Sequence, residues 1–186
     1  MTSPADEPEP DAVLVARFKR GETEAFDRIV MRYRRDIYRI SYRMTGSPED
    51  ADDVAQETFV RAYGALGRFR GDSALKTWLV RIALNLSINA GRLATARRSE
   101  ERAVESVDED RLARPPGSED RLLRNEQAQE VRRAVLRLPP RQKQVVILRM
   151  YEEMRFQEIA DLLESPIGTV KANFFHAVQN LRKVLA

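Results

Sequence analysis

The chain has 186 residues, 42% apolar and 33% charged, with a formal net charge of +3, which is room for one ordinary domain or two small ones with modest cores. It contains no Cys and a single histidine, His176, so disulfide staples, cysteine-based zinc sites, thiol catalysis and multi-histidine metal sites are all excluded, and no cofactor is expected. No apolar run approaches the roughly 20 residues a bilayer span needs, and the acidic, Pro-rich residues 1–11 are the opposite of a secretory leader, so the setting expected is cytoplasmic.

With Pro4, Pro8 and Pro10, residues 1–11 read as a disordered tail. Val13, Leu14 and Phe18 then mark a short helix that stops near Gly21, a C′ residue. Phe26, Ile29, Val30, Tyr33, Ile37, Ile40, Tyr42 and Met44 recur at three-to-four spacing up to Gly46, which predicts a longer helix. Ser47-Pro48-Glu49-Asp50 reads as the next helix start, with a capping Ser, Pro at the first helical position and acids near the positive end. That helix carries Val54, Phe59, Val60 and Tyr63. A loop over residues 67–72 leads to a fourth helix, about residues 73–90, in which Leu75, Leu79, Ile82 and Leu86 make a buried stripe. Thr77, Arg81, Asn85 and Arg92 line another face, and Trp78, beside the stripe, reads as core.

Apolar periodicity fades over residues 91–120, which hold an Asp108-Glu109-Asp110 cluster and Pro115-Pro116-Gly117-Ser118. This stretch reads as a flexible interdomain linker. Helical pattern resumes at about Glu119 and is stopped by Pro139-Pro140, after which three shorter helices run to the end. Strand-type alternation is missing throughout. The expected fold class is therefore all-α, with two small helical domains over residues 12–90 and 121–186. Residues 12–90 carry 14 basic and 10 acidic residues, residues 91–120 carry 6 and 8, and residues 121–186 carry 12 and 7. Two basic blocks flank a mildly acidic one, which fits a nucleic-acid partner and equally fits Arg-rich helices with solvated faces.

The C-terminal block has the pattern of a helix-turn-helix. Val145, Val146, Leu148 and Met150 form an apolar helix. A short helix, about residues 156–163, carries Ile159, Ala160, Leu162 and Leu163, and the small Ala160 lets a crossing helix approach closely. Pro166 suits the first position of the last helix. There Ile167, Val170, Phe174, Val178 and Leu181 fall on one face, while Thr169, Ala172, His176 and Gln179 fall on the other, with Gly168 and Phe175 beside them. A helix with a small, polar outer face can enter a major groove, with Arg141, Lys143, Arg149, Arg155 and Lys171 available for phosphates. The same pattern also fits a helical hairpin whose polar face meets water, with His176 a plain surface residue and Phe175 edge core.

Leu138-Pro139-Pro140-Arg141-Gln142, Glu158-Ile159-Ala160 and Ser165-Pro166-Ile167-Gly168-Thr169-Val170-Lys171 together resemble the promoter-binding C-terminal domain of extracytoplasmic-function sigma factors. Asp53-Val54-Ala55-Gln56-Glu57-Thr58-Phe59, Phe69-Arg70-Gly71-Asp72-Ser73 and Thr77-Trp78-Leu79-Val80-Arg81-Ile82-Ala83-Leu84-Asn85 resemble that family's N-terminal domain. The likeness spans residues 13–185.

The resemblance implies a specificity factor rather than an enzyme. No nucleophile–base pair, metal set or phosphate-cradling glycine loop argues otherwise. It assigns Asp52, Asp53, Gln56 and Glu57 to docking on the clamp coiled coil of the largest polymerase subunit, although an acid-rich, solvated first turn would look the same. Phe69, Arg70, Asp72, Ser73, Thr77, Arg81 and Asn85 would open the −10 element and receive a flipped base, a task that needs cationic surface and pockets for unstacked rings. Arg149, Arg155, Thr169, Lys171, Ala172, Phe175 and His176 would read the −35 element as duplex, beside the polymerase flap. The linker would thread toward the active-site channel, and an anti-sigma factor would hold the chain inactive until a stress signal arrives. Arg155 departs from the family's usual capping Ser or Thr, Glu164 from a turn Gly, and His176 from a common Arg. A free-standing DNA-binding regulator and a polymerase-binding adaptor without DNA contact are the competing classes.

Overall fold

The structure, a computed structural model, describes residues 9–101 and 119–185, and within them the side chains of residues 9–91 and 127–185. The described residues form eight helices and no strand: α1 Asp11–Lys19, α2 Glu24–Thr45, α3 Pro48–Leu66, α4 Leu75–Glu101, α5 Glu119–Leu136, α6 Pro140–Met150, α7 Phe156–Leu162 and α8 Ile167–Leu185. The all-α, two-unit architecture expected from periodicity is what folds, and the chain parts into two compact units between Ser87 and Ile88.

In the first unit the helix ends are built by local chemistry. Gly21, at φ +93°, ends α1 in a full Schellman motif: its N–H donates to Phe18, and the Glu22 N–H donates to Arg17. Gly46, at φ +82°, closes α2 by donating to Tyr42, and the Ser47 hydroxyl caps α3 by accepting from the Asp50 N–H at 3.2 Å. Residues 9–11 are not tail. Asp11 begins α1, and Glu9 pairs with Arg17 and Arg28. These acids find cationic partners on α1 and α2, which the compositional reading of a Pro-rich stretch could not anticipate. Residues 1–8 lie outside the described residues.

The core of this unit holds Leu14, Ile29, Ile37, Ile40, Leu66, Leu79 and Leu84, all fully buried. Facing α2, α3 buries mostly small residues (Ala51, Val54, Ala55, Thr58, Ala62 and Leu66), so Phe59 is only half-buried and Val60 points out. In α4 the buried set is wider than a single stripe. Leu75, Leu79 and Leu86 are joined by Val80, Ala83, Leu84 and Ser87, whereas Ile82 is half-buried. The helix also outruns its expected end at Ala90, because residues 92–101 (Arg, Leu, Ala and Glu among them) favour helix and Gly91 alone does not stop it. The rest of the expected linker, 102–118, lies outside the described residues, as does the Arg92 side chain.

In the second unit α5, through Ala134 and Val135, packs with Leu138 beside α6 and α8. α6 buries Gln144, Val145, Val146, Ile147 and Leu148, while Met150, counted in the helix's apolar set, is 62% exposed at the helix end. The buried Gln144 side chain accepts from Arg141 at 3.2 Å, so its burial leaves no orphan oxygen.

Candidate nucleic-acid interface

The turn from α7 into α8 sets how α8 is displayed. Arg155 precedes α7 and has no side-chain acceptor to offer, so only half a capping box forms: Glu158 Oε2 accepts from the Arg155 N–H at 2.6 Å. Glu164, standing where a glycine would be free, takes φ +49°. The Ser165 N–H donates to the Ala160 carbonyl at 3.0 Å.

On α8, Val170 and Ala177 are buried, and Phe174 meets Phe156 edge-to-face at 5.3 Å. Ala177 was missed as a core position, although it lies two turns from Val170 and the spacing alone would have placed it there. Thr169, Lys171, Ala172, Phe175 and His176 are all exposed together, Phe175 at 59%. The helix contains no Asp or Glu, so nothing on it repels phosphate. Arg155 is exposed before α7. Arg149 has a second role that no sequence signal announced. Its Nη1 donates to the Met154 carbonyl at 2.9 Å, and its guanidinium lies 5.2 Å from the Phe156 ring centroid. Lys143 is half-buried, and burial pulls its ammonium below the ordinary lysine range, which suits it poorly to a phosphate contact.

In the first unit, the loop between α3 and α4 carries Phe69 half-buried and Arg70, Asp72 and Ser73 exposed. Arg70 and Asp72 pair at 3.0 Å across Gly71, which sits at φ +81°. The Phe69 ring rests on Trp78 at 5.1 Å, so Trp78 is a half-buried support for the loop rather than interior core. The Lys19 ammonium donates to the Phe69 carbonyl at 2.6 Å. Along α4, Thr77 and Arg81 are half-buried and Asn85 is exposed.

At the start of α3, Asp52, Asp53 and Gln56 are exposed, while Glu57 is half-exposed and paired with Arg61 at 2.7 Å. Val60, one turn beyond Gln56, extends that row as an apolar residue 66% exposed, a position the sequence pattern had counted toward the helix's apolar set. Among the described residues no helix is long and apolar enough to cross a membrane, and no group of His, Cys, Asp or Glu is arranged to hold a metal.

Comparison with known proteins places both regions. Residues 29–98 match the family model described as Sigma-70 region 2, and residues 128–181 match Sigma-70, region 4. The chain is 37% identical to the RNA polymerase sigma-H factor of Pseudomonas aeruginosa over 95% of its own length and 94% of that protein. It is 35% identical to the ECF RNA polymerase sigma-E factor of Escherichia coli K12, covering 90% of each chain. Among solved structures it resembles CnrH in complex with the cytosolic domain of CnrY, with a TM-score of 0.66 and 25% identity over 94% of this chain and 96% of that one. The fold is shared with RpoE of Bartonella quintana in complex with the anti-sigma factor NepR, at a TM-score of 0.65 and 21% identity over 86% and 96% of the two chains.

Proposed function

We propose how the two units divide the work of a chain that belongs to the extracytoplasmic-function sigma factors of bacterial RNA polymerase. A sigma factor binds core polymerase and directs promoter recognition and transcription initiation. The second unit holds duplex at −35, with Thr169, Ala172, Phe175 and His176 toward base edges and Lys171 and Arg155 toward phosphates. Arg149 uses one of its five N–H donors within the unit and has others for the backbone. The first unit opens the −10 element with Phe69, Arg70, Asp72, Ser73, Thr77, Arg81 and Asn85. It docks on the clamp coiled coil of the largest subunit through Asp52, Asp53, Gln56 and Glu57, while the second unit lies at the flap.

The observation that carries this division is the exposed, acid-free face of α8, on which Thr169, Lys171, Ala172, Phe175 and His176 stand together. The likeness to CnrH and RpoE, each bound to a partner, supports an anti-sigma partner for this chain as well, releasing it on a stress signal. Its place of work is then the cytoplasm, on the nucleoid when in holoenzyme.

The test is a run-off screen of genomic fragments with reconstituted holoenzyme. Transcripts sharing a −35 and a −10 sequence are expected. Asp53→Ala should weaken polymerase binding, and Lys171→Ala should weaken promoter binding with polymerase affinity intact. Tight, specific binding by the chain alone, with no polymerase requirement and no −10 sequence in common, would overturn the division in favour of a free-standing regulator.

A further inference from the structure

The loop between α3 and α4 is short of internal order. Arg68 and Phe69 turn it by donating to Ala65 and Leu66, and beyond them Gly71 sits in the left-handed region between two exposed, mutually paired side chains. A loop of this kind samples many conformations unless something outside it holds one. Two contacts do so at Phe69. Trp78 supports its ring, and Lys19, 50 residues earlier in the chain, donates to its carbonyl at 2.6 Å.

Lys19 is the last residue of α1, and α1 is fixed at both ends. At its start, Glu9 pairs with Arg17 at 3.0 Å, Asp11 with Arg32 at 2.5 Å, and the Tyr33 hydroxyl donates to Asp11 at 2.5 Å. At its finish, the Phe18 ring meets Tyr63 edge-on at 5.1 Å and Phe26 at 5.7 Å, which seats that end of α1 beside the last turns of α3. Lys19 is therefore delivered to the loop by a braced helix. On the far side of the loop, Lys76 pairs with Asp36 of α2 at 2.8 Å and fixes the first turn of α4.

We propose that Lys19 is a positioning residue for strand capture: α1 acts as a brace whose terminal ammonium holds the Phe69 carbonyl, so that residues 70–73 face the opened strand in one conformation. The proposal rests on the reading of residues 69–85 as the −10 surface. Lys19 acts here through geometry, not through attraction to a phosphate, and the two roles separate cleanly by salt. A lysine on a phosphate contributes roughly one unit of salt slope, whereas a lysine on a carbonyl contributes none. The loss of one charge-assisted hydrogen bond at an exposed site corresponds to roughly a threefold to tenfold change in the step it supports.

The experiment uses holoenzyme on a promoter identified by start-site mapping, with 2-aminopurine in the non-template strand of its −10 element. Lys19→Met should slow base unstacking roughly threefold to tenfold and flatten the discrimination among −10 base substitutions. Polymerase affinity, thermal unfolding and the salt slope of promoter binding should stay as in the parent, and Lys19→Arg should restore unstacking. Unchanged unstacking in Lys19→Met overturns the proposal, and so does a salt slope lowered by about one unit. A loss shared by every −10 sequence and accompanied by a lower melting temperature overturns it too. Phe69→Ala, measured in parallel, guards the underlying reading. If Phe69→Ala leaves unstacking untouched, the −10 assignment of the loop fails; if Phe69→Ala impairs it and Lys19→Met does not, the brace alone fails.

Discussion

The backbone N–H of Ser165 donates to the carbonyl of Ala160 at 3.0 Å, closing the turn between α7 and α8 over Glu164 at φ +49°. A side chain in that conformation costs about 1–2 kcal/mol, which a glycine avoids at some expense in unfolded-chain entropy. Glu164→Gly should therefore stabilise the second unit by about 0.5–1 kcal/mol, read as a higher denaturant midpoint. Ala160→Leu should do the reverse by about 1–3 kcal/mol, because Ala160 is buried and a larger side chain there would overpack its surroundings. A lower midpoint in Glu164→Gly would mean that contacts of the Glu side chain outweigh its backbone strain.

Ser41 lies on the buried face of α2, fully enclosed, and its hydroxyl oxygen has no hydrogen-bond partner among the described residues. Its carbonyl is separately engaged, accepting from the Thr45 hydroxyl at 2.9 Å. An enclosed hydroxyl without a partner carries its full desolvation penalty, so Ser41→Ala should raise the unfolding free energy of the first unit by about 1 kcal/mol in urea titration. Destabilisation on that change would show that the hydroxyl is satisfied after all.

Much of this molecule is legible from its residues because helix ends and apolar spacing are local properties. Ser47 and Gly21 each do what residue chemistry dictates within four positions of themselves, and the 3.6-residue period finds the inward face of α2; on α8 it finds Val170 but also counts the exposed Ile167 and passes over the buried Ala177. What stayed hidden depends on residues far apart in sequence. Val60 points outward because α3 turns alanines toward α2, and Trp78 is a support because Phe69 folds back on it. Glu9 and Asp11 are held by arginines of α1 and α2 rather than left as tail. Arg149 was legible as a cation but not as a brace, since neither the Met154 carbonyl nor the Phe156 ring is marked by any pattern. Likewise the end of α4 depends on helix propensity beyond a single Gly, and no motif records that.

Arg149 and Lys171 should separate in a paired measurement. Arg149→Ala removes the donor to the Met154 carbonyl and the cation over Phe156, and should cost about 1–2 kcal/mol of stability. Lys171 is exposed, so Lys171→Ala should cost less than about 0.5 kcal/mol while lowering the salt slope of promoter binding by about one unit. Equal stability losses would mean that Arg149 braces nothing, and an unchanged slope in Lys171→Ala would remove Lys171 from the phosphate contacts.

Tyr33 gives the first unit an alkaline weakness. Burial, and then the hydrogen bond it donates to Asp11, pushes its phenol up to about 12 from an ordinary 10.0. The folded chain thus binds the phenolic proton more tightly than the unfolded chain does, so the stabilisation is complete below pH 10 and is lost as pH rises from about 10 toward 12. By pH 11 the loss should reach about 1 kcal/mol. Tyr33→Phe keeps the ring in place and removes both the proton and the hydrogen bond to Asp11. It should be less stable than the parent at pH 8, yet lose about 1 kcal/mol less than the parent between pH 8 and pH 11. Urea unfolding at the two pH values measures this difference directly, and the other ionising groups, common to both proteins, cancel from it. Parallel losses in the two proteins would mean that the Tyr33 phenol titrates alike in the folded and unfolded states and that its contact with Asp11 does not hold the proton.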